Sequence, residues 1–582
     1  MKSDKFILSV VDYVFLGATL LVSAGIGLYF QLTTKKKTNE EYLLAGKDMS
    51  VFTVAFSIMA TFMSCTALMG LPTEMYLYGT NMAFINLGFI IGAIAASYVF
   101  LPIFFANDVS TAYEYLEKKF GKTARRLMSA MFALQRLLYT AVVLYAPALA
   151  LSGVTNLSTT MSVIVIGIVC TFYSTLGGMK AVLWADVFQS ILMYAALFAI
   201  IIKGFLLLGG NGNIFEIASK GGRLIIPRFT LDPEVHYSMF SVIAHGIIIT
   251  MSEYGGSQIQ VQRLRTLKNL NKSKLAAFLS IPMLVSFHLL CCLCGLIIYA
   301  YFRFCDPLTS PDSPIEAADQ LLPYFITTTF SDLPGLPGLC ICGIFSATLS
   351  TISSTTNSLT SVTSEDFLKP IFPSLSIKVF QNKIISFVFG ALCVGVTFLV
   401  ASLGHLVKMS IVIGGLINAP NLAVFLLAAC STRANEENKP YPFLPLSNEC
   451  PSLEAAESNS TTFATLPYSS ANIYTNTTFS PSSRPETEDE SFHLSYMWIS
   501  TLALITCLTV GYFGSWIISC LRGKYNKVPG IYLSPVRTRF FKKQFNTDEQ
   551  KGKYNAIKDE VHERSNETGI NVTVSDAFDC AF

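Results

Sequence analysis

Charge is scarce in this chain. Lys, Arg, Asp and Glu make up 14% of its 582 residues, against a hydrophobic share of 52%. A soluble domain carries about a quarter charged residues, so a water-soluble fold is excluded and an integral membrane protein is expected. Histidine is scarcer still, at six, and no pair of them has zinc spacing. There is no phosphate-cradling P-loop and no nucleophile–base constellation, so neither an enzyme nor an organic cofactor is expected. The 14 cysteines mostly lie inside apolar runs, as do Cys291, Cys292 and Cys294. They read as small buried hydrophobes, whereas Cys305 and Cys450 fall in loops and are open to oxidation. A cleavable signal peptide is not expected, because the first apolar run is too long for one and is followed by Lys35, Lys36 and Lys37.

What the chain has in abundance is apolar runs long enough to span a bilayer. They lie near 8–30, 51–78, 81–106, 125–153, 158–178, 182–209, 237–262, 274–302, 323–364, 380–403, 407–430 and 494–519. Basic residues mark the inner loops: Lys35 to Lys37; Lys118, Lys119, Lys122, Arg125 and Arg126; Lys180; Arg263, Arg265, Lys268, Lys272 and Lys274; Lys369 and Lys378. The sides alternate consistently through the eleventh run, with the N-terminus outside. Sequons at Asn156, Asn459 and Asn476 are glycosylation candidates. The end of the chain breaks the alternation. Residues 431–493 should begin inside, yet the last run is followed by Arg522, Lys524 and Lys527, which also demand the inside. No apolar run between 431 and 493 makes the missing crossing. Either a helix is missing there or the last helix inserts against its charge bias; the missing helix is favoured. The inner basic clusters follow from topology and call for no nucleic-acid partner.

One membrane-length segment is rich in hydroxyls. From Phe345 to Ser358 every residue is Ser, Thr or Asn except Phe345, Ala347, Leu349 and Ile352. Hydroxyls are neutral oxygen ligands that can replace part of a small cation's water shell, and in hydrocarbon they must face protein or a wet cavity. Helix–helix packing by small polar residues is the competing reading.

The stretches Leu138 to Leu151, Cys170 to Val182 and Trp184 to Gln189, together with Tyr113 to Glu117 and Val261-Gln262-Arg263, resemble the sodium/solute symporter family. The similar branch is that of the monocarboxylate, multivitamin and iodide transporters. The resemblance runs from about residue 8 to 430. It implies an all-α integral membrane protein with a leucine-transporter-like five-plus-five inverted repeat and additional flanking helices. The chain would then divide into an extracellular N-terminus, extra helix and inner loop (1–50), a ten-helix core (51–430), a polar loop (431–493), a last helix (494–519) and a cytoplasmic tail (520–582). That branch usually has thirteen spans, one more than this chain shows.

The resemblance also implies sites. Sodium would be held by the carbonyls of Ala60, Met63 and Ala347 and the hydroxyls of Ser350 and Thr351. The second run has the needed irregularity around Ala60 to Ala67, followed by Gly70 and Pro72. Five neutral oxygens suit a weakly bound monovalent ion, whereas calcium would call for carboxylates. Asp186 and Gln189 match positions linked to sodium passage; an inner cap or ion pair is the alternative. Phe62, Ala67, Asn86, Arg136, Glu253, Tyr254 and Ile411 would line or gate the substrate pocket. Met251 and Ile411 stand where the family's sugar carriers have polar groups, which counts against a hexose. Ala67 stands in place of a glutamine of the iodide transporter, which counts against iodide. Arg136 and Glu253 are expected either to pair or to face water separately. His245 and Lys408 read as packing residues.

The expected function is a sodium-coupled symporter that imports a small, monocarboxylate-like organic anion by alternating access, multi-pass in the plasma membrane. Sodium, the solute and the lipid bilayer are its expected partners. Multivitamin (biotin or pantothenate) uptake, inorganic anion uptake, and a non-transporting sensor or ion leak on the same scaffold are the alternatives. Oligomeric state is not legible.

Overall fold

The computed structural model describes residues 8–33, 38–154, 158–309, 315, 317–372, 379–400, 406–431, 495–522 and 530–540. Asn156, Asn459, Asn476 and Cys450 lie outside them. Among the described residues the chain is helical, with only an isolated bridge between Arg228 and Ser238 in extended pairing. Among the described residues nine helices are long and apolar enough to cross a membrane, or ten if the bent pair Asn39–Lys47 and Val51–Phe62 counts as one span.

The principal helices are α1 (Val10–Thr33), α2 (Val51–Phe62), α3 (Cys65–Tyr78), α4 (Ile85–Val99), α5 (Ala112–Val154), α6 (Thr159–Leu208) and α7 (Met239–Gly255). They continue with α8 (Gln258–Leu264), α9 (Leu270–Phe302), α10 (Leu321–Thr329), α11 (Leu336–Val362), α12 (Val379–Val400), α13 (Leu406–Cys430) and α14 (Met497–Arg522). Two spans are interrupted within the membrane. α2 gives way to α3 at Met63 and Ser64, which leave helical geometry. α7 gives way to α8 at Gly256 and Ser257. These are the second and seventh runs of the sequence, five apart, as expected when each half of an inverted repeat opens on a broken helix. α6 holds two runs in one rod that turns at Gly178, whose φ of +61° suits only glycine and whose Cα lies against Tyr42.

The hydroxyl-rich α11 is the central element. Nearly nine-tenths of its span is buried (89%), against 11% for α14, which lies at the periphery. α6 packs along α11, and α7 packs on α4. At the second contact Gly88 and Gly246 face each other so closely that a Cβ on either would meet the other helix's backbone. α1 is pinned to α11 by Asp12, which accepts from Gly335 N (3.0 Å) and Gly338 N (2.8 Å).

The end of the chain resolves the conflict in charge bias. Ser495 N donates to Pro233 O (2.9 Å) and its hydroxyl to His236 O (2.7 Å), in the outer loop before α7. Beyond α14, Asn107 Nδ2 donates to Ile531 O (3.1 Å), Tyr115 OH to Tyr532 O (3.0 Å) and Ser534 N to Ala429 O (2.9 Å). Those partners lie on the face of the basic loops, where Lys119 Nζ also reaches Ser431 O (2.9 Å). α13 and α14 therefore run parallel, with Gly415 beside Ser500 and Gly511 beside Leu427. The last helix therefore ends on the same side as the basic loops, as its charge bias asks.

Two arginines read as one inner cluster separate. Arg265 reaches the inner loop and hydrogen-bonds Asp108, which holds that carboxyl below its usual range. Arg263 does not face the inner solution. It is 1% exposed and ion-paired inside the protein, because five oxygen acceptors converge on it.

Candidate functional site

Hydrogen bonding shapes the break between α2 and α3. Ser64 Oγ meets Thr66 Oγ1 (2.6 Å) and Tyr139 OH of α5 (2.8 Å). Gly70 and Pro72, expected to weaken the helix, lie inside the continuous α3. Their role is packing, since Gly295 of α9 sits against Pro72. A helix end leaves its last carbonyls without intrahelical donors. Among the described residues neither the Ala60 nor the Met63 carbonyl accepts a backbone hydrogen bond from beyond the break.

α11 comes against these carbonyls. Thr61 Oγ1 lies 3.4 Å from Ser350 Oγ and 3.2 Å from Ser354 Oγ, and Thr351 Oγ1 donates to Ala347 O (3.0 Å). Ala60, Ala347, Ser350 and Thr351 are all buried. Met63 and Thr351 line one cavity. Ser350 and Thr351 of α11 thus stand beside the end of α2, where Ser350 meets Thr61 and Thr351 shares a cavity with Met63.

Behind them lies a buried ionic network. Asp186 Oδ2 accepts from Ser57 Oγ (2.5 Å) and pairs with Arg263 Nη2 (3.1 Å). Arg263 also donates to Ser57 Oγ (2.7 Å), Thr61 Oγ1 (2.6 Å), Ile259 O (3.1 Å) and Ser354 Oγ. Asp186 Oδ1 is buried without a partner, as is Gln189 Oε1. Gln189 Nε2 reaches Ser23 of α1 at 3.5 Å, so Gln189 faces the extra helix.

The cavity has a volume of about 140 Å³. Phe62, Ala67, Arg136, Glu253 and Ile411 are on its wall. Two expected members are not. Tyr254 stands behind Phe62, with ring centroids 6.4 Å apart and its hydroxyl on Ser280 (2.7 Å). Asn86 stands behind His288. Arg136 and Glu253 do pair, at 2.5 Å, and Arg136 Nη2 also donates to Ser257 Oγ (2.8 Å) at the α7–α8 break. The guanidinium lies near the Phe132 and Tyr139 rings, and among the described residues its buried Nε has no acceptor. The couple is net neutral, which removes the repulsion a lone Glu253 would exert on an anion.

Gln135, His245, His288 and Asn418 were missed by sequence reasoning and line the cavity too. His245, expected only to pack, bridges to α14 through Ser500 Oγ (3.0 Å). A lone histidine in an apolar run carries no periodic signal. Only the fold shows which wall it faces.

Two broken helices around a central buried cavity define a multi-pass membrane transporter. The comparisons give its family. The sodium:solute symporter family model matches residues 42–438, and the chain belongs to that family. It is 37% identical to a putative sodium-dependent multivitamin transporter of Drosophila melanogaster, over 89% of this chain and 88% of the relative. It is 34% identical to the human sodium-coupled monocarboxylate transporter 1 (86% of each) and to the mouse sodium-coupled monocarboxylate transporter 2 (91% and 87%). Among solved structures it matches a sodium-coupled sialic acid symporter in a substrate-bound outward-open state. The TM-score is 0.66 at 23% identity, over 73% of this chain and 88% of that one, which fixes the fold as leucine-transporter-like. The protein is a sodium-coupled symporter and not an enzyme, and sodium is its co-transported ion.

Proposed function

We propose that this protein imports a small organic monocarboxylate with sodium across the plasma membrane, using the core of residues 51–430. The observation that carries the solute class is the neutral Arg136–Glu253 couple on the wall of a cavity of about 140 Å³. A cavity of about 150 Å³ holds a benzene-sized molecule, so a three-carbon acid or a small aromatic acid fits. Guanidinium donors match a carboxylate geometrically, and a substrate oxygen supplies the acceptor that Nε lacks. Sodium sits at the end of α2, held by the carbonyls of Ala60, Met63 and Ala347 and the hydroxyls of Ser350 and Thr351. Its binding stabilises the outward-open form, and it leaves past Asp186 and Gln189. The Ser57–Asp186–Arg263 network borders that route.

Multivitamin transport is the second reading, favoured by the printed name of the 37% identical relative. Biotin and pantothenate need a larger cavity than this one. Uptake of labelled lactate, pyruvate, nicotinate, pantothenate, biotin and iodide, in sodium against choline, separates the two. Sodium-dependent uptake confined to the three small carboxylates is expected. Uptake of biotin alone would sink the small-acid reading. In the same assay Ser350→Ala should raise the sodium concentration for half-maximal uptake about tenfold, about the loss of one strong ligand contact.

A further inference from the structure

His288 of α9 has a defined tautomer. Asn86 Nδ2 donates to Ala83 O (2.8 Å), which fixes the orientation of the amide, and the same Nδ2 lies 3.0 Å from His288 Nδ1. An amide nitrogen only donates, so Nδ1 accepts. Cys292 Sγ, one turn along α9, also lies within reach of Nδ1, at 3.7 Å. With Nδ1 accepting, the ring is neutral and its proton is on Nε2. Among the described residues Nε2 has no acceptor, although His288 is 2% exposed. The ring is held edge-on by Phe89 (5.5 Å), which packs against Phe62 (5.3 Å). It lines the same small cavity as Arg136. Nε2 is not among the fully enclosed polar atoms of the described residues that lack a partner, so this donor is open to the cavity, where an acceptor can reach it.

We propose that His288 is a specificity-determining residue, whose Nε2–H donates to a second oxygen on the substrate while Arg136 holds the carboxylate. Among small aliphatic acids the site thereby favours those oxygenated at carbon 2, the 2-oxo and 2-hydroxy monocarboxylates, over their unsubstituted analogues. Asn86 is a positioning residue: it never touches the substrate, and it keeps the proton on the nitrogen that faces the cavity. The inference rests on the monocarboxylate reading and deepens it.

The test compares pyruvate with propionate, its analogue without the 2-oxygen, by Vmax/KM of sodium-dependent uptake normalised to surface protein. Wild type should prefer pyruvate about tenfold, the value of one well-made hydrogen bond to an otherwise unsatisfied donor. In His288→Leu the ratio should fall toward one, and in Asn86→Leu it should fall in the same direction. His288→Gln, which keeps an N–H, should recover part of it. If His288→Leu fails to reach the surface, His288→Met gives the same reading. A wild-type ratio near one, or a ratio unchanged in the apolar variants, overturns the proposal while leaving monocarboxylate transport intact. No uptake of either acid by wild type would instead overturn the parent reading, and this inference with it.

Discussion

At the scale of the residue, Arg263 marks the limit of charge counting. In the sequence it is one cation among five near the end of the seventh run, and the count places the loop inside. In the fold it is the counter-charge of Asp186 and a donor to Ser57, Thr61 and Ser354. Nothing local distinguishes it from Arg265, two residues on, which does reach the inner loop. Removing one partner of a buried pair costs about 3–5 kcal/mol, because the other charge stays buried alone. Arg263→Ala should therefore abolish surface expression. Arg263→Ala combined with Asp186→Asn should restore a measurable part of it, read by surface biotinylation. Full expression of the single variant would show that the pair is dispensable. Ser350 and Thr351 were legible because hydroxyls are conspicuous in hydrocarbon; His288 was not, because its meaning lies in Asn86, 202 positions away.

At the scale of the element, helix breaks were only half legible. The irregularity of the second run stands out in its composition, but the residues that look like breakers, Gly70 and Pro72, sit within α3. The break falls earlier, where Ser64 and Thr66 bond each other and Tyr139. The matching break at Gly256 and Ser257 follows an unremarkable apolar run. α1 gives a sharper example, for its role lies in one side chain. Asp12 satisfies two backbone N–H groups at the start of α11, with Gly338 so close that a Cβ would collide with the α1 backbone. Asp12→Ala leaves both donors buried and unmet, at about 1–3 kcal/mol each. Asp12→Asn keeps a carbonyl acceptor. Thermal stability in detergent should fall clearly for the first and little for the second; equal losses would mean that the carboxylate charge, not its acceptance, matters.

At the scale of the molecule, the alternation of basic loops gives a self-consistent set of sides as far as α13 and then meets a contradiction. Lys119 reaches Ser431 at the end of α13, and Ser495 bonds the loop before α7 at the start of the parallel α14, a placement that only the packing of the two helices reveals. With Ser495 outside, the sequon at Asn476 should carry a glycan. Glycosidase treatment should shift the protein's mobility, and Asn476→Gln should remove that part of the shift. An unchanged mobility would overturn the outside placement of Ser495.

The pairing of charges inside this protein has an electrical consequence. Arg136 cancels Glu253, and Arg263 cancels Asp186. A charge moved through the full membrane potential exchanges about 2.3 kcal/mol per 100 mV, but these couples carry almost no net charge as the core moves. These couples therefore add little to the charge moved in a transport cycle. If the solute is a monocarboxylate, current under voltage clamp divided by uptake gives one less than the number of sodium ions carried per acid, because the acid itself brings one negative charge.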